Sequence, residues 1–233
     1  MRQKTVIFDL DGTLVDSARD LMGTLNFILA REGAPVLAVE KAHSLLGAGA
    51  RALLERGFAL DGRVIEPARM EVLYGDFLDY YAEHLADETV AFEGVQPALA
   101  TLKQRGHILG VCTNKVTEHS VRLLQAIGLA PYFSAICGRD AFAWFKPDAR
   151  HLTLSIEAAG GNPANAVMVG DSETDVITAI NAGLPSVCVD FGYTDIPARD
   201  LGATKVISHF DELIPAIDAI DAPADHKLTS AAP

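Results

Sequence analysis

Two aspartates separated by one residue, Asp9 and Asp11, close a short apolar run and stand directly before a glycine in the stretch Phe8-Asp9-Leu10-Asp11-Gly12-Thr13-Leu14. On an extended strand, residues two apart leave the same face, so the pair would present two carboxylates together just where Gly12 lets the chain turn. Such neighbours repel, and the spacing calls either for a cation between them or for a proton on one of them. A second acidic group, Gly170-Asp171-Ser172-Glu173-Thr174-Asp175, follows the apolar run Val167-Met168-Val169. Asp171 falls at a strand-to-helix turn and Asp175 one helical turn later, so both face one point at a helix N-terminus, where the dipole favours negative charge. Three acids in this short run exceed what capping needs. Hard oxygen ligands, few in number and completed by water, suit Mg²⁺ better than zinc or copper.

Between these acidic groups lie Thr113-Asn114, which offers a hydroxyl, an amide and backbone N–H groups after another apolar run, and Lys146-Pro147, a lysine at a helix start. The chain carries 19 lysines and arginines against 31 aspartates and glutamates, a net charge of −12. A field of that sign repels nucleic-acid phosphates and anionic lipid headgroups, which argues against either as a partner. A small anion is a different matter: a metal and a lysine such as Lys146 would offset the charge locally. Composition leaves the oligomeric state open.

Positioning these groups takes a sheet. Apolar runs at Thr5-Val6-Ile7-Phe8, Ile108 to Cys112, Ala135-Ile136-Cys137, Val167-Met168-Val169 and Ser186 to Val189 read as buried strands, with helices expected near 116–127, 148–159, 173–182 and 210–218. Strands alternating with helices predict an α/β fold, a Rossmann-like parallel sheet covered on both faces. Ligands of such sheets bind at the carboxyl edge of the strands, where every group named above falls. The chain is 49% apolar and 21% charged, which excludes disorder for its bulk.

One spacing is anomalous. Asp11 and Thr113 stand roughly 100 residues apart, whereas a βαβ crossover needs only about 30. The surplus is amphipathic: Leu21, Leu25, Ile28 and Leu29 form one helical stripe and Met70, Leu73, Phe77, Tyr80 and Tyr81 another. Ser17 followed by Asp20 resembles a capping box at the start of the first helix. The expected organisation is therefore a core of residues 1–15 and 87–221, a small helical cap of residues 16–86, and a flexible tail over 222–233. Cys112, Cys137 and Cys188 have no C-x-x-C spacing and read as core residues. With no run of about 18 apolar residues and no signal-peptide core, the expected setting is the reducing cytoplasm.

Taken in order, D-x-D-G-T, T-N, K-P and G-D-S-x-x-D, each after a strand, resemble the haloacid dehalogenase-like superfamily of phosphohydrolases over nearly the whole chain. The helical insertion after the first motif looks like that family's C1-type cap. The resemblance implies that Asp9 is a nucleophile forming an aspartyl-phosphate, and that Asp11 is the general acid and base. It implies that Thr113, Asn114 and Lys146 bind the phosphoryl group, and that Mg²⁺ is ligated by Asp9, Asp171 and the Asp11 backbone carbonyl. Asp175, Gly12 and Ser172 would support them, Asp175 by orienting Lys146 or a metal-bound water.

Within the superfamily, an aspartate at position 11 favours phosphoryl transfer over dehalogenation, and Lys41, the one lysine of the cap, lies in no motif matching a phosphonatase. The run from Asp9 to Leu21, Leu46-Gly47-Ala48-Gly49-Ala50 and Phe191-Gly192-Tyr193 look like the phosphoglycolate phosphatase group, with a small phosphomonoester as substrate. Gly47 would place bare backbone over the phosphate pocket, and Arg51 is expected to pair with a substrate carboxylate. Trp144 and Phe145 make the approach to Lys146 bulkier than that group's usual loop, and Asp148 stands where proline is common; Trp144 is expected under the cap or on the substrate wall. Sugar-phosphate phosphatases and phosphomutases keep the same acids. A non-enzymatic receiver-like phosphoacceptor shares the sheet, acidic pocket, threonine and lysine, but not the cap or the second acid.

Overall fold

The computed structural model describes residues 3–220; the expected tail over 222–233 lies outside them. Six strands form one parallel sheet in the order β5-β4-β1-β6-β7-β8. These are β1 (Thr5–Phe8), β4 (Ile108–Cys112), β5 (Ala135–Cys137), β6 (Ala166–Gly170), β7 (Ser186–Val189) and β8 (Lys205–Ile207). Every residue of β1, β6 and β7 is buried, as a central parallel sheet covered on both faces requires. Strand β8, not foreseen from the sequence, is the edge: only Ile207 of its three residues is buried, so it lacks a continuous apolar run. Helices α5 (Val95–Gln104), α6 (Thr117–Ala126), α7 (Ala149–Ala158), α8 (Glu173–Asn181) and α9 (Leu213–Ile220) connect or follow the strands. The segment expected as a helix from 210 opens as a 3₁₀ turn, Phe210–Glu212, before α9 begins.

The chain order fixes where ligands can bind. From β1 it runs to β4 and β5 on one side, then crosses back to β6, β7 and β8 on the other, so the sheet has its topological switch point at β1. The register places Phe8 opposite both Val111 and Val169. The residues just beyond, Asp9, Thr113 and Asp171, therefore emerge from three adjacent strands at one edge.

Between β1 and β4 the chain first forms a two-stranded antiparallel ribbon, β2 (Val15–Asp16) with β3 (Val90–Ala91), pairing Val15 with Ala91 and Asp16 with Val90. Helices α1 (Ala18–Arg31), α2 (Ala42–Leu45), α3 (Ala50–Ala59) and α4 (Pro67–Glu83) lie between the two ribbon strands, and α1, α3 and α4 pack on one another. Both amphipathic stripes are buried in this packing except Tyr80, which stacks on Phe27 with centroids 3.9 Å apart. Helix α3 was not foreseen; it starts directly after Gly49.

The start of α1 differs from the expected capping box. Ser17 makes no side-chain cap; its hydroxyl donates to Asp11 Oδ1 at 2.6 Å and its N–H to Tyr193 Oη at 2.8 Å. Asp20 instead accepts from the N–H of Glu88 at 3.0 Å, the N–H of Thr89 at 2.9 Å and the Thr89 hydroxyl at 2.7 Å. The physical reason is that the returning segment arrives with backbone donors the short ribbon cannot satisfy, and a buried carboxylate meets them. The three cysteines are free and buried, and no helix of the described residues is long and apolar enough to cross a membrane. Asp20→Ala strands those donors and should lower the unfolding free energy in urea by about 2–4 kcal/mol; a loss below about 0.5 kcal/mol would show that water replaces the carboxylate freely.

Candidate active site

Strand β1 ends at Phe8, and the Asp9 N–H still continues its ladder by donating to Val169 O at 2.8 Å. The chain then folds back on itself: Leu10 O accepts from the N–H groups of Thr13, Leu14 and Val15 at 3.3, 2.9 and 3.1 Å. Gly12 has φ +83°, and a Cβ there would sit 2.4 Å from Asp171 Oδ2, so this turn admits only glycine. Asp11 lies beyond the strand, inside the turn, and both carboxylates line one cleft. Different lysines meet the two carboxylates. Lys146 Nζ lies 2.8 Å from Asp9 Oδ1, while Lys115 Nζ donates to both oxygens of Asp11 at 3.0 Å.

Asp9, Asp171 and Asp175 form a buried cluster with carboxylate oxygens within 4.8 Å of one another. Asp171 is held by the Thr13 hydroxyl on Oδ1 at 2.8 Å and by the Tyr193 N–H on Oδ2 at 2.7 Å. Asp175 accepts Lys146 on Oδ1 at 2.6 Å. Its Oδ2 accepts the Ser172 hydroxyl at 2.7 Å and the N–H groups of Ser172 and Asp171 at 3.1 and 3.3 Å. Asp175 is therefore saturated by the protein, whereas Asp9 Oδ1 has an ion pair but no aligned hydrogen bond.

The electrostatics follow from this crowding. Burial, then the Asp175 charge, push the Asp9 carboxyl up to about 6 against the pull of Lys146. Burial, then Asp175 and Asp9, hold Asp171 well above the usual carboxylate range. Burial works against the Lys146 charge, but Asp175 and Asp9 outweigh it and keep the ammonium above the ordinary lysine range. One ammonium facing three buried carboxylates leaves an excess of negative charge made of hard oxygens, with one of those oxygens lacking a hydrogen bond. That donor set fits a divalent cation of the Mg²⁺ kind.

Thr113 and Asn114 lie beside the cluster on the loop after β4. Thr113 N–H donates to Cys137 O at 3.0 Å and its hydroxyl accepts from Lys115 N–H at 3.2 Å. Asn114 Nδ2 donates to the Lys146 carbonyl at 3.1 Å, bracing the loop that delivers this lysine, and its buried Oδ1 has no partner. The Lys146–Pro147 peptide is cis, and Asp148 caps α7 by accepting the Arg150 N–H at 2.9 Å.

A cleft runs from these groups to the inserted helices. Its polar end holds Asp9, Asp11, Thr113, Asn114, Lys115 and Lys146; its far wall is Leu53, Tyr74, Phe77, Leu78, Tyr81, Val116 and His119. Gly47 and Gly49 line it as well, and Gly47, at φ +93°, lies so close to Tyr193 O that a Cβ would sit 2.8 Å away. Two side chains are not where the sequence suggested. Arg51 is not in the cleft: Glu71 holds it with two contacts of 2.7 Å, and its guanidinium lies 5.1 Å from the Tyr74 ring. Trp144 neither lines the cleft nor packs under the insertion, being 37% exposed with Arg150 over its ring at 4.3 Å. Phe145 is likewise exposed, with Arg139 4.8 Å from its ring.

Sequence reasoning missed Lys115, whose only signal was its place directly after Thr113-Asn114, and His119, one helical turn further on. Lys146→Met leaves the carboxylates without their cation and should lower the unfolding free energy of metal-free protein by about 3–5 kcal/mol. The loss should be larger at pH 8 than at pH 5, because protons on the raised carboxyls relieve the repulsion at low pH. Equal losses at the two pH values in urea melts would show that packing, not charge, is at stake.

Residues 6–189 match the family model for haloacid dehalogenase-like hydrolases. A phosphoglycolate phosphatase of Caulobacter vibrioides is 48% identical over 206 residues, covering 88% of this chain and 87% of its own. An N-acetylmuramic acid 6-phosphate phosphatase of Pseudomonas aeruginosa is 33% identical over 223 residues, covering 94% and 96%. The crystal structure of a predicted phosphoglycolate phosphatase from Haemophilus somnus superposes with a TM-score of 0.84 at 28% identity, covering 92% of this chain and 98% of that one. A six-stranded sheet with four motifs at one edge, a helical insertion after the first, and matches spanning nearly the whole chain lead to one assignment: the protein belongs to the haloacid dehalogenase-like hydrolase family.

Proposed function

We propose that the protein is a Mg²⁺-dependent phosphatase that hydrolyses a small phosphomonoester, with 2-phosphoglycolate the best-supported substrate, through a phosphorylated Asp9. The observation that carries this reading is the buried Asp9-Asp171-Asp175 cluster, with Lys146 against Asp9, at the polar end of a cleft. The relatives named phosphoglycolate phosphatase supply the substrate.

Asp9, Asp171 and the Asp11 backbone carbonyl would hold Mg²⁺, which supplies charge neutralisation for an incoming phosphate. Lys146 does the same from the protein side and keeps the Asp9 carboxylate ionised and aimed. Asp175 fixes Lys146, and Ser172 fixes Asp175. Thr113 and Asn114 bind the phosphoryl oxygens, Gly12 makes room for Asp171, and Gly47 covers the pocket. Asp9 attacks phosphorus, forming an O–P bond as the ester P–O bond breaks, and protonated Asp11 gives its proton to the departing oxygen so that a neutral alcohol leaves. Asp11 then takes a proton from water as the water oxygen bonds to phosphorus and the Asp9–P bond breaks. Phosphate is released and Asp11 is protonated again. We take residues 16–86 as a cap over this chemistry, excluding bulk water, on a core of residues 1–15 and 87–221, and place the enzyme in the cytoplasm, in keeping with its free cysteines.

A second reading has one observation in its favour. The wall of the cleft opposite the acids is largely apolar, with Leu53, Phe77 and Leu78 on it, which suits a bulkier phosphomonoester such as a sugar phosphate.

Phosphate release should be measured over a panel of phosphomonoesters with and without Mg²⁺. Turnover should require the metal and peak on 2-phosphoglycolate, and Asp9→Asn should lose at least ~10³-fold in kcat. Turnover undiminished in that variant would sink the covalent route, a sugar phosphate preferred over phosphoglycolate would establish the second reading, and isomerised product without phosphate release would identify a mutase. A thermal melt tests the metal site without activity. The raised Asp9 carboxyl stabilises metal-free protein at low pH, and that contribution is lost as pH rises through about 6. The Mg²⁺-dependent gain in Tm should therefore grow over the same range and be absent in Asp171→Asn; a gain independent of pH or of Asp171 would place the cation elsewhere.

A further inference from the structure

Lys115 is the second buried lysine of the cleft, and neither the phosphate nor the cation accounts for it. It lies on the loop between β4 and α6, and its side chain is 5% exposed. Removing an ammonium from water costs several kcal/mol unless its donors are all met. Here they are met by Asp11 and by the insertion. Two contacts of 3.0 Å go to the two oxygens of Asp11, and a third of 2.7 Å goes to the phenol oxygen of Tyr81 on α4. Tyr81 is fixed in turn: it is 2% exposed, between His119 at 5.8 Å and Phe77 at 6.2 Å.

The Asp11 carboxyl sits in a turn, and among the described residues its other hydrogen-bond donor is the Ser17 hydroxyl, on Oδ1. A single contact lets the carboxyl plane rotate, whereas contact with both oxygens fixes it. We propose that Lys115 is a positioning residue for Asp11, aimed by Tyr81, so that the acid group of the core is oriented only with α4 in place. This rests on the reading of Asp11 as the group that protonates the leaving alcohol.

The test exploits the leaving group. An alkyl phosphate needs a proton at its departing oxygen, whereas p-nitrophenolate leaves without one, and kcat/KM reports on steps up to phosphorylation of Asp9. In Lys115→Met, kcat/KM for an alkyl phosphate should fall roughly 30-fold or more, and for p-nitrophenyl phosphate several times less. Tyr81→Phe, which removes one oxygen from a packed ring, should show the same selectivity with a smaller loss, and it decides the matter alone if Lys115→Met does not fold. Equal falls on both substrates, or none on the alkyl phosphate, overturn the proposal. Asp11→Asn separates the two levels: if it too falls equally on both substrates, the acid role of Asp11 has failed, and with it the reason for positioning.

Discussion

Asp9, Asp171 and Asp175 are buried within a few ångströms of one another, and almost everything else at this edge of the sheet answers the repulsion between them. Lys146 is drawn into the interior against its own desolvation because two of the three are there to receive it. Ser172, Thr13 and the Tyr193 backbone spend their donors on the same carboxylates. Glycine stands at position 12 because the turn that carries the acids runs against Asp171 itself. Left metal-free, the arrangement resolves its excess charge by taking up protons. A divalent cation would resolve it without them and would leave Asp9 ionised, so the tension that makes the site costly to fold would also prepare it for an anionic substrate.

The lysines divide the remaining work by position. Lys146 reaches the cluster from the loop ahead of α7, while Lys115 reaches Asp11 and stops there. Two aspartates only two residues apart are thereby placed in separate electrostatic surroundings: Asp9 among carboxylates and one ammonium, Asp11 among an ammonium and two hydroxyl-bearing side chains on the insertion side. Separate surroundings are what one turn needs if its two acids are to do different jobs.

The central strands were legible in the sequence because parallel strands buried on both faces are continuously apolar, and the site motifs because each follows such a strand. What escaped has a physical pattern. β8 is an edge strand with two exposed residues and gives little hydrophobic signal. Asp11 was placed on the strand because its spacing from Asp9 fits a period of two, but hydrogen bonding to Leu10 O had already begun the turn. Ser17 and Asp20 fit a capping box by type and distance, yet the Ser17 hydroxyl goes to Asp11 in the preceding turn and the Asp20 carboxylate to Thr89, far along the chain. Arg51 looked available because its partner, Glu71, comes from another helix. Trp144 was expected under the cap or on the substrate wall, but it lies at the surface with Arg150 over its ring. For Asp20 and Arg51 a contact with a distant segment overrode a local pattern, and only local patterns are written in consecutive residues.

The two-stranded ribbon of β2 and β3 brings the first and last residues of the helical insertion side by side, and Asp20 ties the same crossing a second time. A segment entered and left at one point behaves as a closed loop: its length and contents can change without moving the strands that carry Asp9 and Thr113. Most of the far wall of the cleft comes from that loop, with Val116 and His119 added by the core, and the reacting groups come from the sheet. Substitutions in that segment can therefore reshape the cleft while the strand ends that carry Asp9, Thr113 and Asp171 keep their places.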